Sequence, residues 1–297
     1  MGAFDIASVS VWKLLALDDP DLEQADLVVA NLAVAKGIES LKNLDIAHYC
    51  QVVDDWTARF RRWLPANEFQ FRRSPQTYHN DIRFFRAGQL QHFLCHEIGV
   101  EYKPERKAVE VYYTNPSDLF LNGLIDTKIG TCGNMAALHV AICRRLGWPV
   151  SLTCVKNHHV SRFEEGPVAV NIECTAKIPN GFSGGSDEDY LKRENLPSLA
   201  KTCGSDLRKL SMREMLGLFI SLRARHYQDI WRFDLCDVEC GLARALLPTN
   251  RCLYGHGIRI AHRTRQAALL PRRDWPPQTA ICVVGWELCA SIRVCRE

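Results

Sequence analysis

Residues 130–152 read GTCGNMAALHVAICRRLGWPVSL, and this stretch decides the fold of the chain. Apolar residues recur in it at the spacing of one helix face: Met135, Leu138, Ile142 and Leu146. Thr131 is a favoured N-cap residue and Gly147 a favoured helix stop, so we expect a helix that begins at Cys132. A β-branched run follows, which indicates that the helix leads into a strand.

The predicted start of this helix makes Cys132 a candidate nucleophile. Unpaired N–H groups and the positive end of the helix dipole lower the pKa of a thiol in the first turn. The same N–H groups could hold an oxyanion, and the glycines at 130 and 133 would let a substrate backbone approach. The alternative is that Cys132 is one more buried sulfur among 13 cysteines.

Three runs after the helix predict an antiparallel sheet: PVSLTCV, HHVSRF and VAVNIECT. If residues 164–167 form a four-residue loop, Phe163 faces Val168, and counting back along the ladder brings His158 opposite Glu173. An imidazole facing a carboxylate is the base and orienting acid that a cysteine nucleophile requires. The helix and the sheet together predict an α+β core.

Two other histidines compete for the role of base. A one-residue bulge in the hairpin would exchange His158 for His159, so His159 stays an alternative base. His139 follows Cys132 by two helical turns, about 10 Å of rise, which is beyond hydrogen-bond reach.

The rest of the chain is expected to be mainly helical. Periodic segments predict helices between residues 21 and 100, the Gly- and Ser-rich stretch 178–190 a surface loop, and 201–271 helices broken by prolines. We therefore divide the chain into a helical domain at 1–110, a core at 111–200, a C-terminal helical segment resembling tetratricopeptide repeats at 201–271, and a tail of unknown role at 272–297. The C-terminal helices could bind a protein partner.

Composition excludes several classes of protein. A net charge of +3 at pH 7 argues against nucleic acid as a partner. No run of eighteen apolar residues exists and the start lacks a signal-peptide pattern, so we expect a cytoplasmic protein without a membrane span. Cys132 and the two histidines lack a further ligand for zinc, so no metal or other cofactor is expected.

These motifs resemble the transglutaminase-like superfamily of papain-type cysteine enzymes, in particular its bacterial branch with an N-terminal helical domain and a tetratricopeptide-like C-terminus. The resemblance runs from about residue 26 to 271, and three motifs carry it: GTCGNMAALHVAICRRLGWPVSL, KNHHVSRFE and NIECT. It implies a papain-like core, a helix packed on an antiparallel sheet, with helical segments on both sides. Aligned on Arg162 and Phe163, the catalytic histidine of the family falls on His158, with Cys132 as nucleophile and Glu173 as third member.

The resemblance implies an enzyme that hydrolyses or transfers acyl groups through a thioester on Cys132. Its substrate would be a protein or peptide with an amide or carboxamide group, and the backbone N–H of Cys132 would hold the oxyanion. Asn122 is a candidate second oxyanion donor, although a helix-cap amide is the commoner role for such a residue. The alternative function is a non-catalytic protein-interaction module that retains the fold.

Overall fold

The structure of the protein is a computed structural model that describes residues 6–103, 113–156, 158–179 and 181–249. The helices are α1 (Val11–Leu15), α2 (Asp19–Glu23), α3 (Leu27–Ala35), α4 (Ile46–Asn67), α5 (Phe69–Arg73), α6 (Ile82–Phe93), α7 (Leu121–Thr127), α8 (Cys132–Arg145), α9 (Asp187–Arg193), α10 (Leu199–Thr202), α11 (Met212–Asp229) and α12 (Phe233–Leu246). The strands are β1 (Glu101–Tyr102), β2 (Ile129–Gly130), β3 (Val150–Val155), β4 (His158–Glu165), β5 (Val168–Glu173) and β6 (Ser183–Gly185).

The central sheet of the fold is antiparallel and has the strand order β3-β4-β5-β6. Each strand pairs with its neighbour in sequence, which is the predicted meander. Helix α8 packs against this sheet through fully buried residues such as Ala136 and Val140, and Phe163 of β4 is also fully buried. The hydroxyl of Ser161 donates to the carbonyl of Ala136 at 3.4 Å across the contact. A helix on an antiparallel sheet confirms the predicted α+β core.

The turn between β4 and β5 is tighter than predicted. β4 continues to Glu165 and β5 begins at Val168, so the turn contains two residues instead of four. Gly166 opens it with a φ of +57°, a left-handed conformation that glycine adopts without steric cost and that two-residue hairpins need. The predicted pairing of Phe163 with Val168 is therefore wrong, and Phe163 pairs with Val170.

The stretch 178–190 is not the surface loop that its composition predicts. It contains β6, which pairs with β5 so that Ser183 lies opposite Glu173, and it contains the start of α9. A Cβ on Gly88 of α6 would lie 2.1 Å from the Phe182 ring, so the missing side chain makes room for this aromatic contact. The prediction failed because a glycine-rich strand pairs through its backbone and carries few side chains that signal a strand.

Helices pack around the sheet and bury a large hydrophobic cluster and a second, small one that contains Val160 of β4 and Tyr190 of α9. The helices predicted before residue 100 are present as α3, α4 and α6, and α11 packs along α12 and against α2 and α3. One continuous hydrophobic cluster includes side chains from before residue 110 and from after residue 200, and the four-part domain division stays a prediction. The predicted helix at 251–271 and the tail 272–297 lie outside the described residues. None of the described helices combines the length and the apolar character needed to cross a membrane.

Candidate active site

Cys132 is the first residue of α8, as the sequence predicts. Thr131 precedes it with extended backbone, and Asn134 closes the turn by accepting hydrogen bonds from the Thr131 N–H at 2.7 Å and the Thr131 hydroxyl at 3.3 Å. The Asn134 amide also donates to the carbonyls of Asp118 and Phe120, at 3.1 and 3.2 Å. These bonds fix the thiol in the first helical turn, where free N–H groups and the helix dipole favour a thiolate.

The glycines on either side of Cys132 make room for protein atoms. A Cβ on Gly130 would lie 2.4 Å from Cγ of Met135, and a Cβ on Gly133 would lie 3.2 Å from Cδ1 of Leu222 and 3.6 Å from Nδ1 of His159. The space that we expected for a substrate backbone is therefore largely taken at these two positions. Gly133 instead lets helix α11 and an imidazole come close to the thiol.

His158 and Glu173 are in direct contact. Nε2 of His158 lies 3.0 Å from Oε1 and 2.8 Å from Oε2 of Glu173. The side chain of His158 is 26% exposed and that of Glu173 is 10% exposed, so the contact is largely shielded while the imidazole keeps access to solvent. A carboxylate only accepts hydrogen bonds, so Nε2 carries the proton and Nδ1 is the nitrogen that can accept one.

The two side chains meet diagonally and not directly across the ladder. Ser161 pairs with Ile172, so Val160 is the next residue toward Glu173. The predicted direct opposition of His158 and Glu173 is wrong by two residues because of the tighter turn. A shift of two residues preserves the face of a strand, so His158 and Glu173 still share one face and the imidazole reaches the carboxylate.

Two further residues hold the carboxylate of Glu173. Oε1 accepts hydrogen bonds from the backbone N–H of Thr175 at 3.0 Å and from its hydroxyl at 2.7 Å. Oε2 lies 3.4 Å from Nη2 of Arg193. Burial is the largest influence on the pKa of Glu173 and raises it, but the hydrogen bonds from His158 and Thr175 lower this pKa to about 2. Glu173 is therefore ionised at neutral pH.

The surroundings of Cys132 favour a thiolate beside an imidazolium. Burial raises the pKa of the Cys132 thiol, but hydrogen bonds and charge interactions with His158 and His159 outweigh it and lower the pKa to about 5. Burial alone would lower the pKa of His158, whereas its hydrogen bonds with Cys132 and Glu173 raise that pKa to about 10. Between these values the pair carries a negative sulfur and a positive imidazole.

His159 is a second imidazole at the sulfur. Its Nδ1 lies 3.9 Å from Sγ of Cys132, within reach of a sulfur hydrogen bond. Successive strand residues point to opposite faces, so His159 lies on the same side of β4 as Ser161, which faces α8. In the described part of the chain, no carboxylate bonds to His159. The acid partner favours His158 as the base, whereas the contact of 3.9 Å with the sulfur is made by His159.

The remaining sequence candidates lie away from this chemistry. His139 is fully buried, its Nε2 lies 2.7 Å from the carbonyl oxygen of Ala87, and burial lowers its pKa to about 4. Asn122 is 2% exposed and donates to the Ser117 hydroxyl at 3.1 Å. Its Oδ1 has no hydrogen-bond partner among the described residues, and the Ser117 bond does not lead to Cys132. The oxyanion role of Asn122 stays a prediction without a contact that supports it.

Sequence reasoning missed Thr175 and Arg193. Thr175 stands in the quoted motif NIECT two residues after the acid, so a hydroxyl within reach of the carboxylate was readable from the motif. Arg193 follows Glu173 by twenty residues on another element, and no local pattern connects them. In the described residues, no group of three or more His, Cys, Asp or Glu side chains is arranged to hold a metal ion.

Part of the chain matches the model of a known protein family. The family model of the Transglutaminase-like superfamily matches residues 47–197, about half of the chain. The match extends from α4 to just beyond α9 and includes Cys132, His158, Glu173 and Arg193. No curated protein and no solved structure matches the chain.

Proposed function

The chain belongs to the transglutaminase-like superfamily, and from this premise we propose that it is a cysteine-dependent enzyme that hydrolyses amide bonds or transfers acyl groups. The observations that carry the proposal are the thiol of Cys132 at a helix start, the lowering of its pKa by His158 and His159, and the direct contact of His158 with Glu173. Its substrate class is a protein or peptide that presents an amide or carboxamide group. We also propose that a protein partner binds helices α11 and α12.

The proposed reaction uses the thiolate as nucleophile. The sulfur of Cys132 attacks the carbonyl carbon, a C–S bond forms, and the carbonyl electrons move to oxygen, where the Cys132 N–H stabilises the oxyanion. The oxyanion then collapses, the C–N bond breaks, and Nδ1 of His158 gives its proton to the leaving nitrogen. A thioester remains on Cys132, and His158 is neutral.

The thioester is resolved by a second nucleophile. A water molecule or an amine attacks the thioester carbon and gives a proton to Nδ1 of His158, and the C–S bond breaks to restore the thiolate. Water gives hydrolysis or deamidation, and an amine gives acyl transfer. Throughout, Glu173 keeps Nε2 protonated and stabilises the imidazolium.

Alkylation of Cys132 across pH tests the proposal without a known substrate. We expect iodoacetamide to label Cys132 rapidly at pH 6, well below the usual thiol pKa of about 8.5, because the imidazolium stabilises the thiolate. His158→Gln should slow this labelling by roughly a hundredfold at pH 6, since the thiol loses its largest pKa-lowering interaction and its pKa rises toward the usual value. His159→Gln should slow it less. Labelling is quantified for each cysteine by mass spectrometry.

The exposed Cys203 provides an internal control in the same experiment, because it lies outside the site and should respond alike in all variants. If Cys132 is no more reactive at pH 6 than Cys203, or if His158→Gln leaves its reactivity intact, the proposal fails. That result would favour a non-catalytic interaction module. If His159→Gln slows the labelling of Cys132 more than His158→Gln does, His159 is the base.

A further inference from the structure

Arg193 reaches the acid of the site from a separate helix. We propose, on the basis of the proposed function, that Arg193 is a positioning residue that shares the carboxylate of Glu173 with His158 and keeps the imidazolium able to return its proton. The residue lies at the end of α9, and its Nη2 approaches Oε2 of Glu173 at 3.4 Å. The same oxygen lies 2.8 Å from Nε2 of His158, so one carboxylate oxygen faces two cations.

The guanidinium is fixed where it lies. It stacks over the ring of Tyr190 at 4.0 Å from the ring centre, and its Nε donates to Glu194 at 3.2 Å. Tyr190 is 1% exposed, so it forms a rigid support for the stacked cation. The side chain of Arg193 is 45% exposed, which lets it be replaced without opening the core.

A buried ion pair holds the other end of α9 to the sheet. Asp187, the first residue of α9, accepts hydrogen bonds from Arg162 of β4 at 2.6 and 3.2 Å and from Asn171 of β5 at 2.9 Å. Lys201 adds a contact at 2.8 Å. The side chains of Arg162 and Asp187 are 5% and 4% exposed, so this ion pair is buried. It sets where α9 ends and therefore where Arg193 meets Glu173.

The charges around the carboxylate explain what Arg193 does. The titratable groups that interact with Glu173 are His158 from β4, Arg193 and Tyr190 from α9, and Cys174, its neighbour in the chain. A carboxylate bonded to His158 alone would stabilise the imidazolium so strongly that it becomes a poor acid toward the leaving nitrogen. Arg193 takes up part of the carboxylate charge and repels the imidazolium, and both effects favour release of the proton.

Titration of His158 in a Cys132→Ala background tests this role, because the thiolate no longer contributes to the pKa of the imidazole. We expect Arg193→Met to raise the pKa of His158 by roughly half to one unit, and Arg193→Lys to leave it nearly unchanged. The rise should shrink at about 1 M salt, since Arg193 is partly exposed. The readout is NMR of histidine ring carbons, with the His158 signal assigned by its loss in His158→Gln.

Lys192→Met is the matched control. Lys192 is exposed, is next to Arg193 on α9 and carries the same charge, but it has no bond to Glu173. An unchanged His158 pKa in Arg193→Met, or an equal shift in Lys192→Met, would overturn the role of Arg193. Glu173→Gln in the same background separates this from the proposed function: if it does not lower the His158 pKa, the acid of the proposed function is itself wrong. Thermal melts of each variant verify that it is folded.

Discussion

Glu173 has one more rotatable bond than an aspartate, so its carboxylate needs restraint to keep its place at His158. Thr175 supplies two of the restraining hydrogen bonds, from its backbone N–H and its hydroxyl, both to Oε1. The arginine approaches Oε2, and the histidine lies within hydrogen-bond distance of both oxygens. The ordering costs the glutamate its rotamer freedom, and the local bonds to Thr175 offset that cost.

The hydroxyl of Thr175 can be removed without changing the volume of the side chain. We expect Thr175→Val to slow iodoacetamide labelling of Cys132 at pH 6 by roughly three- to tenfold, because a less well-held carboxylate stabilises the imidazolium less. Thr175→Ser keeps the hydroxyl and should label at close to the wild-type rate. Equal rates for the valine and serine variants would exclude a contribution from the hydroxyl.

Two adjacent histidines, His158 and His159, are candidates for the base, and the geometry of strand β4 decides between them only in part. They point to opposite faces of β4, Nδ1 of His159 lies 3.9 Å from Sγ of Cys132, and both imidazoles lower the pKa of its thiol. The sequence could not choose between them, since a bulge would exchange their faces. The choice of His158 rests on its acid partner.

At the scale of elements, close packing of α11 on α12 depends on a glycine. A Cβ on Gly217 would lie 2.8 Å from Cβ of Leu246 and 3.2 Å from Cβ of Leu247. Gly241 of α12 has open space, with no atom within 4 Å of such a Cβ among the described residues. Both glycines lie inside helices, so they differ in packing and not in helix propensity.

Alanine substitutions at these two glycines therefore have opposite expected effects. Gly241→Ala should stabilise the protein by about 0.5–1 kcal/mol, the gain in helix propensity. Gly217→Ala gains the same propensity but must push the helices apart, and it should destabilise by about 1–3 kcal/mol as overpacking does. Urea unfolding measures both. Stabilisation by both variants would mean that α11 and α12 do not pack this closely.

At the scale of the whole molecule, the C-terminal helices close onto the N-terminal helices and onto the site. Arg223 of α11 donates to the carbonyl of Val34 in α3 at 2.9 Å, and the Met212 N–H donates to Glu23 of α2 at 2.9 Å. Leu222 of α11 lies against Gly133, the residue after the thiol. Segments far apart in the sequence therefore support the geometry of the site together.

Acid should destabilise the whole fold through the acid of the site. The pKa of Glu173 is about 2 in the folded chain against 4.5 without its partners, so the unfolded chain binds the proton more readily. Its contribution to stability is therefore present above pH 4.5 and is lost as the pH falls toward 2. Between pH 7 and pH 3, the free energy of unfolding should fall by about 2 kcal/mol less in Glu173→Gln than in wild type. Urea unfolding at the two pH values tests this, and equal losses would contradict it.

Much of the core was readable from local patterns. The start of α8 at Cys132, the order of the three long strands, and the shared face of His158 and Glu173 follow from capping, β-branched runs and the period of a strand. The hairpin loop was wrong because a glycine and a proline at 166–167 make a two-residue turn that composition does not distinguish from a longer one. The predicted face of each side chain was still correct, because a shift of two residues leaves every side chain of a strand on the same face.

The sequence by itself determined which helix carries the thiol and which strands carry the histidines and the acid, because these depend on neighbours a few residues apart. Only the tertiary structure decided that Arg193 reaches Glu173, that β6 extends the sheet, and that α11 lies against Gly133. Each of these contacts joins residues that are distant in the chain, and their approach depends on how the elements pack, which local propensity does not encode. The position of Arg193 depends on the buried Arg162–Asp187 pair, whose partners belong to two different elements.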